Sequence, residues 1–285
     1  MVALLGGVIG ATCWGFSSIL AGRASRSIGA SATLAWVALV GVAAIFPLVV
    51  WHGLPTTLPP RDAVLLAIGA AGSVIGLGLT YRALAMGKVG VVVAITSTEG
   101  AIGAMFAIVA GERLGGITAA GLVAAAAGVV LVGLGRHASD SAATVRGNRR
   151  ASLLAGAAAT VFGASLWASG DVAARIGSPV LILSARLLGV VTIALPMIIG
   201  RRLPVRNRAV LFAAGAGVIE IVGFLGFLWG ARESIAVAAV LATQYAVIAT
   251  ILSWILFKER LSPMQLLGIA VVLGGVILIA VGQVA

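Results

Sequence analysis

Charge is what this sequence has least of. Lys, Arg, Asp and Glu together make up 9% of its 285 residues, against about 25% in an ordinary soluble domain. So few charges do not cover a water-facing surface of that size. A soluble globular enzyme, a disordered chain and a coiled coil are excluded on that ground. Cysteine is nearly absent as well: Cys13 stands alone, so no intrachain disulfide is possible. The only histidines, His52 and His137, fall in connecting segments, and no HExxH, CxxC or Asp-rich motif occurs. No metal site, no cofactor and no His-based hydrolysis is expected. The first basic residue is Arg23, so the positive n-region of a cleaved signal peptide is missing, and residues 3–22 read as a retained first span.

What the chain does have is apolar surface. Hydrophobic residues make up 61% and mean hydropathy is +1.19. Long apolar runs must satisfy their backbone polar groups internally, which leaves helices or a closed barrel. A barrel shows short alternating segments with a polar lumen face. Here the runs are continuous and rich in Ala, Gly, Val and Leu, which predicts an all-α integral membrane protein. The 39 glycines read as notches where helices approach closely; Gly6/Gly10, Gly72/Gly76 and Gly226/Gly230 have the Gly-x3-Gly spacing. At about 20 residues per span, ten spans fit: 3–22, 31–51, 62–81, 90–110, 116–135, 151–170, 178–200, 209–230, 236–257 and 263–283. The net charge of +11 sits largely on arginines at span ends, as contacts to anionic headgroups rather than to nucleic acid.

The longest polar stretch, 136–150, divides the chain into a first half (1–135) and a second half (151–285) of five helices each. The halves are alike. Residues 11–29 lie on 159–177 with Ala11, Thr12, Gly15, Ser17, Gly22, Ile28 and Gly29 matched. GERL (111–114) lies on KERL (258–261), followed by Gly121, Gly128, Val129, Leu131 and Gly135 on Gly268, Gly275, Val276, Leu278 and Gly282. Two directly joined repeats with an odd number of helices must sit in opposite orientation. That is the inverted-repeat plan of secondary transporters, with a cavity near the midplane between the halves.

Trp14-Gly15 in the first span, Tyr81-Arg82-Ala83-Leu84 closing the third, and GERL with its glycines have second-half echoes in Phe162-Gly163, KERL, Gly268 and Gly275. On these residues the sequence resembles the drug/metabolite transporter superfamily, specifically ten-helix proteins with two EamA repeats. The resemblance covers nearly the whole chain. It implies export of small metabolites by alternating access without ATP, from a bacterial inner membrane. Within the family the sequence looks most like YddG-type exporters of aromatic and neutral amino acids. It departs from the family where a proline often follows the polar stretch of the fourth and ninth helices; Gly100 and Ala246 stand there instead.

Charged residues in the middle of a span are candidates for function. Glu99, Arg186 and Glu220 qualify. Arg186 stays charged, so it either pairs with a substrate carboxylate or fixes helix register by bonding a glutamate. Glu99 ends the polar run Thr96-Ser97-Thr98 and is a candidate for binding a substrate ammonium or for carrying a proton. At an offset of 148, Ile95-Thr96-Ser97 faces Thr243-Gln244-Tyr245, so Ser97, Gln244 and Tyr245 are expected to line a cavity. Trp14 and its mate Phe162 are candidates for stacking against an apolar substrate. Ser17, Tyr81 and Trp167 complete the expected substrate site, with core packing an equal reading for Trp167. Asp171 and Arg175 read as an i,i+4 pair at a helix end, and GERL and KERL as structural turns.

Counting Lys and Arg by loop gives 14 on the odd-numbered loops and 4 on the even ones. The positive-inside rule then places the odd loops in the cytoplasm and both termini outside, whereas the resemblance implies both termini inside. The expected partners are a small-molecule substrate and membrane lipid, with no nucleic acid, and one chain is enough to build the site. A carrier of sugar phosphates or nucleotide sugars is the alternative, but such cavities need clustered basic residues. An enzyme is not expected, since no Asp or His cluster marks an interface.

Overall fold

A computed structural model describes residues 1–87, 89–134, 142–249, 251 and 262–282. All regular structure among them is helical. In span order the helices are α1 (Val2–Ile28), α2 (Ala30–His52), α3 (Pro60–Met86), α4 in two pieces (Val89–Thr96 and Glu99–Val109), α5 (Gly116–Leu134), α6 (Ala142–Ile176), α7 (Ser178–Ile199), α8 (Ala209–Ala231), α9 (starting Ile235–Ala242) and α10 (Pro263–Gly282). Seven are long and apolar enough to cross a bilayer, and shorter apolar helices supply the other three places. KERL at 258–261, Trp254, Lys88, Arg136, His137 and Gly135 lie outside the described residues. Helix α6 begins at Ala142, inside the stretch expected to be a polar linker.

The helix boundaries follow from local chemistry. Gly29 and Gly177, 148 residues apart, have φ of 84° and 88°. That left-handed backbone favours glycine and turns α1 into α2 and α6 into α7 with no loop. In α7, Pro196 has no N–H to donate to the preceding turn, and the helix widens into a π turn over Val190–Ala194.

The expected symmetry is visible in the packing. Helix α1 packs along α8, and α6 packs along α3; α5 and α10 pack on each other, as do α2 and α7. Contacts recur in pairs. The Ser17 hydroxyl donates to the Ala216 carbonyl at 3.2 Å, and the Ser165 hydroxyl to the Gly69 carbonyl at 2.8 Å. Trp14 rests on Gly223, and Phe162 on Gly76. Gly121 meets the Gly275 carbonyl while Gly128 meets the Gly268 carbonyl. As one strand of contacts climbs α5, its partner descends α10, so these equivalent helices are antiparallel. The pairs Gly41 with Arg186 and Ala38 with Gly189 show the same for α2 and α7. The fold is a bundle of two inverted five-helix repeats.

These glycines are steric requirements. A Cβ on Gly128 would lie 2.7 Å from the Val272 nitrogen, and one on Gly121 2.8 Å from the Gly275 oxygen. Gly274 faces open space. Gly128→Leu is expected to destabilise the protein by about 1–3 kcal/mol through overpacking, while Gly274→Ala changes little. Thermal unfolding in detergent micelles checks both; equal midpoints for the two variants would refute the close α5–α10 contact.

Candidate functional site

Helices α4 and α9 are both interrupted near their middles. Turns replace helix at 97–98 and at 243–244. The backbone bonds tighten there, with Thr98 N–H donating to the Ile95 carbonyl (3.2 Å) and Gln244 N–H to the Leu241 carbonyl (3.1 Å). The polar side chains of the breaks serve the breaks themselves. Ser97 bonds the Ala94 carbonyl, Thr98 the Ile95 carbonyl, Thr243 the Ala239 carbonyl, and Gln244 Nε2 the Val240 carbonyl. Ser and Thr hydroxyls commonly bond back in this way. The break positions are 146 residues apart, not 148. Gly15 packs on Ile248 and the Tyr245 carbonyl, as Gly163 packs on Ile102 and the Glu99 carbonyl. The true counterpart of Glu99 is therefore Tyr245. The offset drifts between helices, and alanine- and valine-rich segments gave no landmark to reveal the slip.

A cavity lies between the breaks, walled by the equivalent helices of both repeats: α1, α3 and α4 from one, α6, α8 and α9 from the other. Trp14, Ser17 and Ser18 come from α1, Leu77, Thr80, Tyr81 and Leu84 from α3, and Thr96 and Glu99 from α4. Phe162 and Leu166 come from α6, Glu220 and Phe224 from α8, and Tyr245 from α9. Its free volume is about 60 Å³. Trp14 is the centre of an aromatic cluster, with ring centroids 5.6 Å from Phe224, 6.1 Å from Phe227 and 6.3 Å from Tyr245.

Three charged groups are buried at this depth. Arg186 Nη2 is 3.0 Å from Glu220 Oε1, with both side chains buried. The Tyr81 hydroxyl donates to Glu220 Oε2 at 3.3 Å. Gly41 makes room for the arginine stem. Glu99 is 4% exposed and adjoins the Tyr245 hydroxyl, while its Oε2 has no partner. The Thr80 hydroxyl is likewise buried and unpartnered.

Seven of the eleven expected site residues thus line one cavity: Trp14, Ser17, Tyr81, Glu99, Phe162, Glu220 and Tyr245. Four lie elsewhere. Arg186 stands behind Glu220, bordering a pocket of about 10 Å³ with Ser73 and Ser169. Trp167 stacks on Phe106 at 5.8 Å. Ser97 and Gln244 line a separate cavity on the far side of the breaks. Missed by the sequence reading were Ser18, Leu77, Thr80, Leu84, Thr96, Leu166 and Phe224. Helical spacing was the available signal: Ser18 is one turn from Trp14, Phe224 one turn from Glu220, and Leu77, Thr80 and Leu84 share a face with Tyr81. Among the described residues, no three His, Cys, Asp or Glu converge in a metal-holding group.

One end of the bundle, where α1 begins, is tied across the repeats. Arg175 Nε bonds Asp62 at 2.9 Å and its Nη2 bonds Asp171 at 2.7 Å; Arg61 reaches Asp171 at 3.3 Å. The i,i+4 pair expected for Asp171 and Arg175 is present inside this larger cluster. Glu112 of GERL accepts from Ser234 Oγ at 2.5 Å and from the Ala236 N–H at 3.2 Å, so a carboxylate caps the N-terminus of α9. Glu233 accepts from the Ala3 N–H at 2.7 Å and does the same for α1. From the midplane the cavity runs the other way, toward Ser18 and Leu84.

The EamA-like transporter family model matches residues 1–134 and again 151–281. The chain belongs to the EamA-like transporter family. It is therefore a multi-pass membrane protein that transports small metabolites. No curated protein matches it in sequence. One solved crystal structure superposes with a TM-score of 0.71 at 20% identity, covering 98% of this chain and 96% of its own; at that identity the likeness concerns the fold alone.

The buried ion pair makes a specific prediction. Arg186→Ala leaves the Glu220 carboxylate without its counter-ion and is expected to cost about 3–5 kcal/mol. Arg186→Met combined with Glu220→Leu removes both charges and is expected to recover most of that loss. Thermal unfolding of the three proteins checks it; a double variant no more stable than the single one would show that the pair is not the coupling unit.

Proposed function

We propose that this transporter exports amino acids with aromatic or large neutral side chains by alternating access about the midplane cavity. One observation carries the reading: a buried carboxylate, Glu99, with an unpartnered oxygen in an aromatic-lined cavity built by both repeats. Unpartnered buried oxygens are uncommon, and a substrate ammonium would satisfy this one. Trp14, Phe162 and Phe224 would hold the apolar side chain, and the unpartnered Thr80 hydroxyl the substrate carboxylate.

The charge balance argues against the anionic alternative. Arg186 is taken up by Glu220, which leaves Glu99 uncompensated. None of the residues lining the cavity is basic, so a sugar phosphate or nucleotide sugar would find no counter-ion there. The size of the cavity argues for motion. About 60 Å³ is less than half of the ~150 Å³ that takes one benzene, so loading requires the two sets of wall helices to part. The first five helices and the last five would be the rocking units.

Exchange in proteoliposomes tests the substrate class. With unlabelled amino acid inside and the labelled form outside, phenylalanine or another large neutral amino acid is expected to exchange. Trp14→Ala and Glu99→Gln are each expected to slow exchange at least tenfold, whereas Ser97→Ala, which removes only a bond to its own helix, leaves it within about twofold. No exchange of any amino acid by folded protein would sink the reading.

The 14-to-4 distribution of Lys and Arg supports a cytoplasmic location for the end toward which the cavity extends. This is the side from which an exporter loads. In a Cys13→Ala background, Arg202→Cys is expected to react with an impermeant maleimide only after spheroplasts are opened, and Thr57→Cys without opening. The reverse pattern would invert the orientation.

A further inference from the structure

A second free volume lies outside the central cavity. About 360 Å³ lies between α4, α5 and α9, on the far side of both helix breaks, and opens to the side of the bundle. Its walls are almost wholly apolar, with Val123, Ala126, Ala127 and Val130 from α5 and Val240 from α9. Val123 and Val130 are exposed, so in a membrane the mouth faces lipid. In a membrane such a recess is filled by lipid or by a membrane-dissolved molecule, which supplies its lining with dispersion contacts. It is over twice the ~150 Å³ that accepts benzene.

The cavity has one polar feature that remains unexplained. Gln244 lines it and is 7% exposed. Its Nε2 donates to the Val240 carbonyl at 2.8 Å, but its Oε1 is buried with no partner. The hydroxyls of Ser97 and Thr98, on the same cavity, already donate to their own helix. A carboxamide oxygen accepts and does not donate. The site therefore asks for an apolar body with a single hydrogen-bond donor. A phospholipid acyl chain supplies the body but no donor at this depth.

We propose that this lateral cavity is a binding site for a membrane-dissolved alcohol or phenol, whose hydroxyl donates to Gln244 and whose apolar body fills the space against α5. The site touches both breaks at once, through Ser97 and Thr98 in α4 and Thr243 and Gln244 in α9. An occupant there would resist any change of angle at either break. It is separate from the central cavity, so its existence does not depend on which substrate the transporter carries.

Photolabelling tests it without reference to transport. The protein in phosphatidylcholine nanodiscs is irradiated with a diazirine derivative of octanol, and in parallel with the matching diazirine of octane; labelled peptides are mapped by mass spectrometry. The alcohol is expected to label residues 97–101, 123–130 and 240–244 saturably and to be displaced by unlabelled octanol. Gln244→Leu is expected to reduce that labelling at least fivefold. Ala126→Phe and Ala127→Phe, either of which fills the space, are expected to reduce it at least tenfold. The alkane is expected to label lipid-facing residues such as Val64 and Leu211 as densely as the cavity. Each variant is first shown to keep the wild-type elution volume and unfolding midpoint. Alcohol labelling no denser in the cavity than at Val64 and Leu211 would overturn the site, and unchanged labelling in Gln244→Leu would overturn the role of the carboxamide.

Discussion

Lipid tails are as apolar as leucine, so inside a bilayer no hydrophobic force draws one helix to another; close backbone approach and dispersion must do it. In this chain the closest approaches run between the repeats: α1 on α8, α6 on α3, and α5 on α10. Small residues stand at the crossing points, Gly6 against Gly226 and Gly230, Gly72 against Ser165, Gly121 against Gly275. Each of these close pairs therefore takes one helix from each half. The cavity is the space left where three helices from each half pass one another without closing. Its walls inherit the two-fold: Trp14 seats on Gly223 as Phe162 seats on Gly76.

Against that symmetric frame the polar chemistry is one-sided. Arg186 stands opposite Ala38 under the two-fold, and Glu99 opposite Tyr245. The ion pair between Arg186 and Glu220 has no echo in the first half. It neutralises two of the three deep charges and anchors Tyr81, at the cost of desolvating both groups. Glu99 is left as the carboxyl group without a basic partner, and it sits where α4 restarts after its break. A carboxyl group in that place is surrounded by helices that belong to different repeats.

Much of the fold was legible before any coordinates. Hydropathy placed all ten helices, and Gly29 with Gly177 and Gly121 with Gly268 marked the repeat, because glycines at steric crossings hold their spacing. Mid-span charge singled out Glu99, Arg186 and Glu220 for the same physical reason that makes such residues rare. What misled was depth and facing. Ser97 and Gln244 do line a cavity, but a lateral one, and their hydrogen bonds go to carbonyls one turn back, where a broken helix needs them. Trp167 also falls within a span, yet it stacks on Phe106 instead of lining the central cavity. The inner face of α3 was missed because Leu77, Thr80 and Leu84 are ordinary membrane residues, and only their register with Tyr81 places them.

The two-fold also exchanges the two ends of the bundle, so a contact that closes one end should have a counterpart that closes the other. For the cluster of Asp62, Asp171 and Arg175 the counterparts are Ala209, Arg23 and Ser27. No carboxylate stands at any of them. This cluster therefore has no repeat-related copy, and it stabilises the end where α1 begins. Ion pairs this near solvent contribute on the order of 1 kcal/mol or less each. A difference of 1.4 kcal/mol nevertheless changes an equilibrium tenfold. Under the alternating access proposed above, the inequality of the ends in residues 62, 171 and 175 favours the arrangement seen here, tied at that end and with its cavity running from the midplane toward the other.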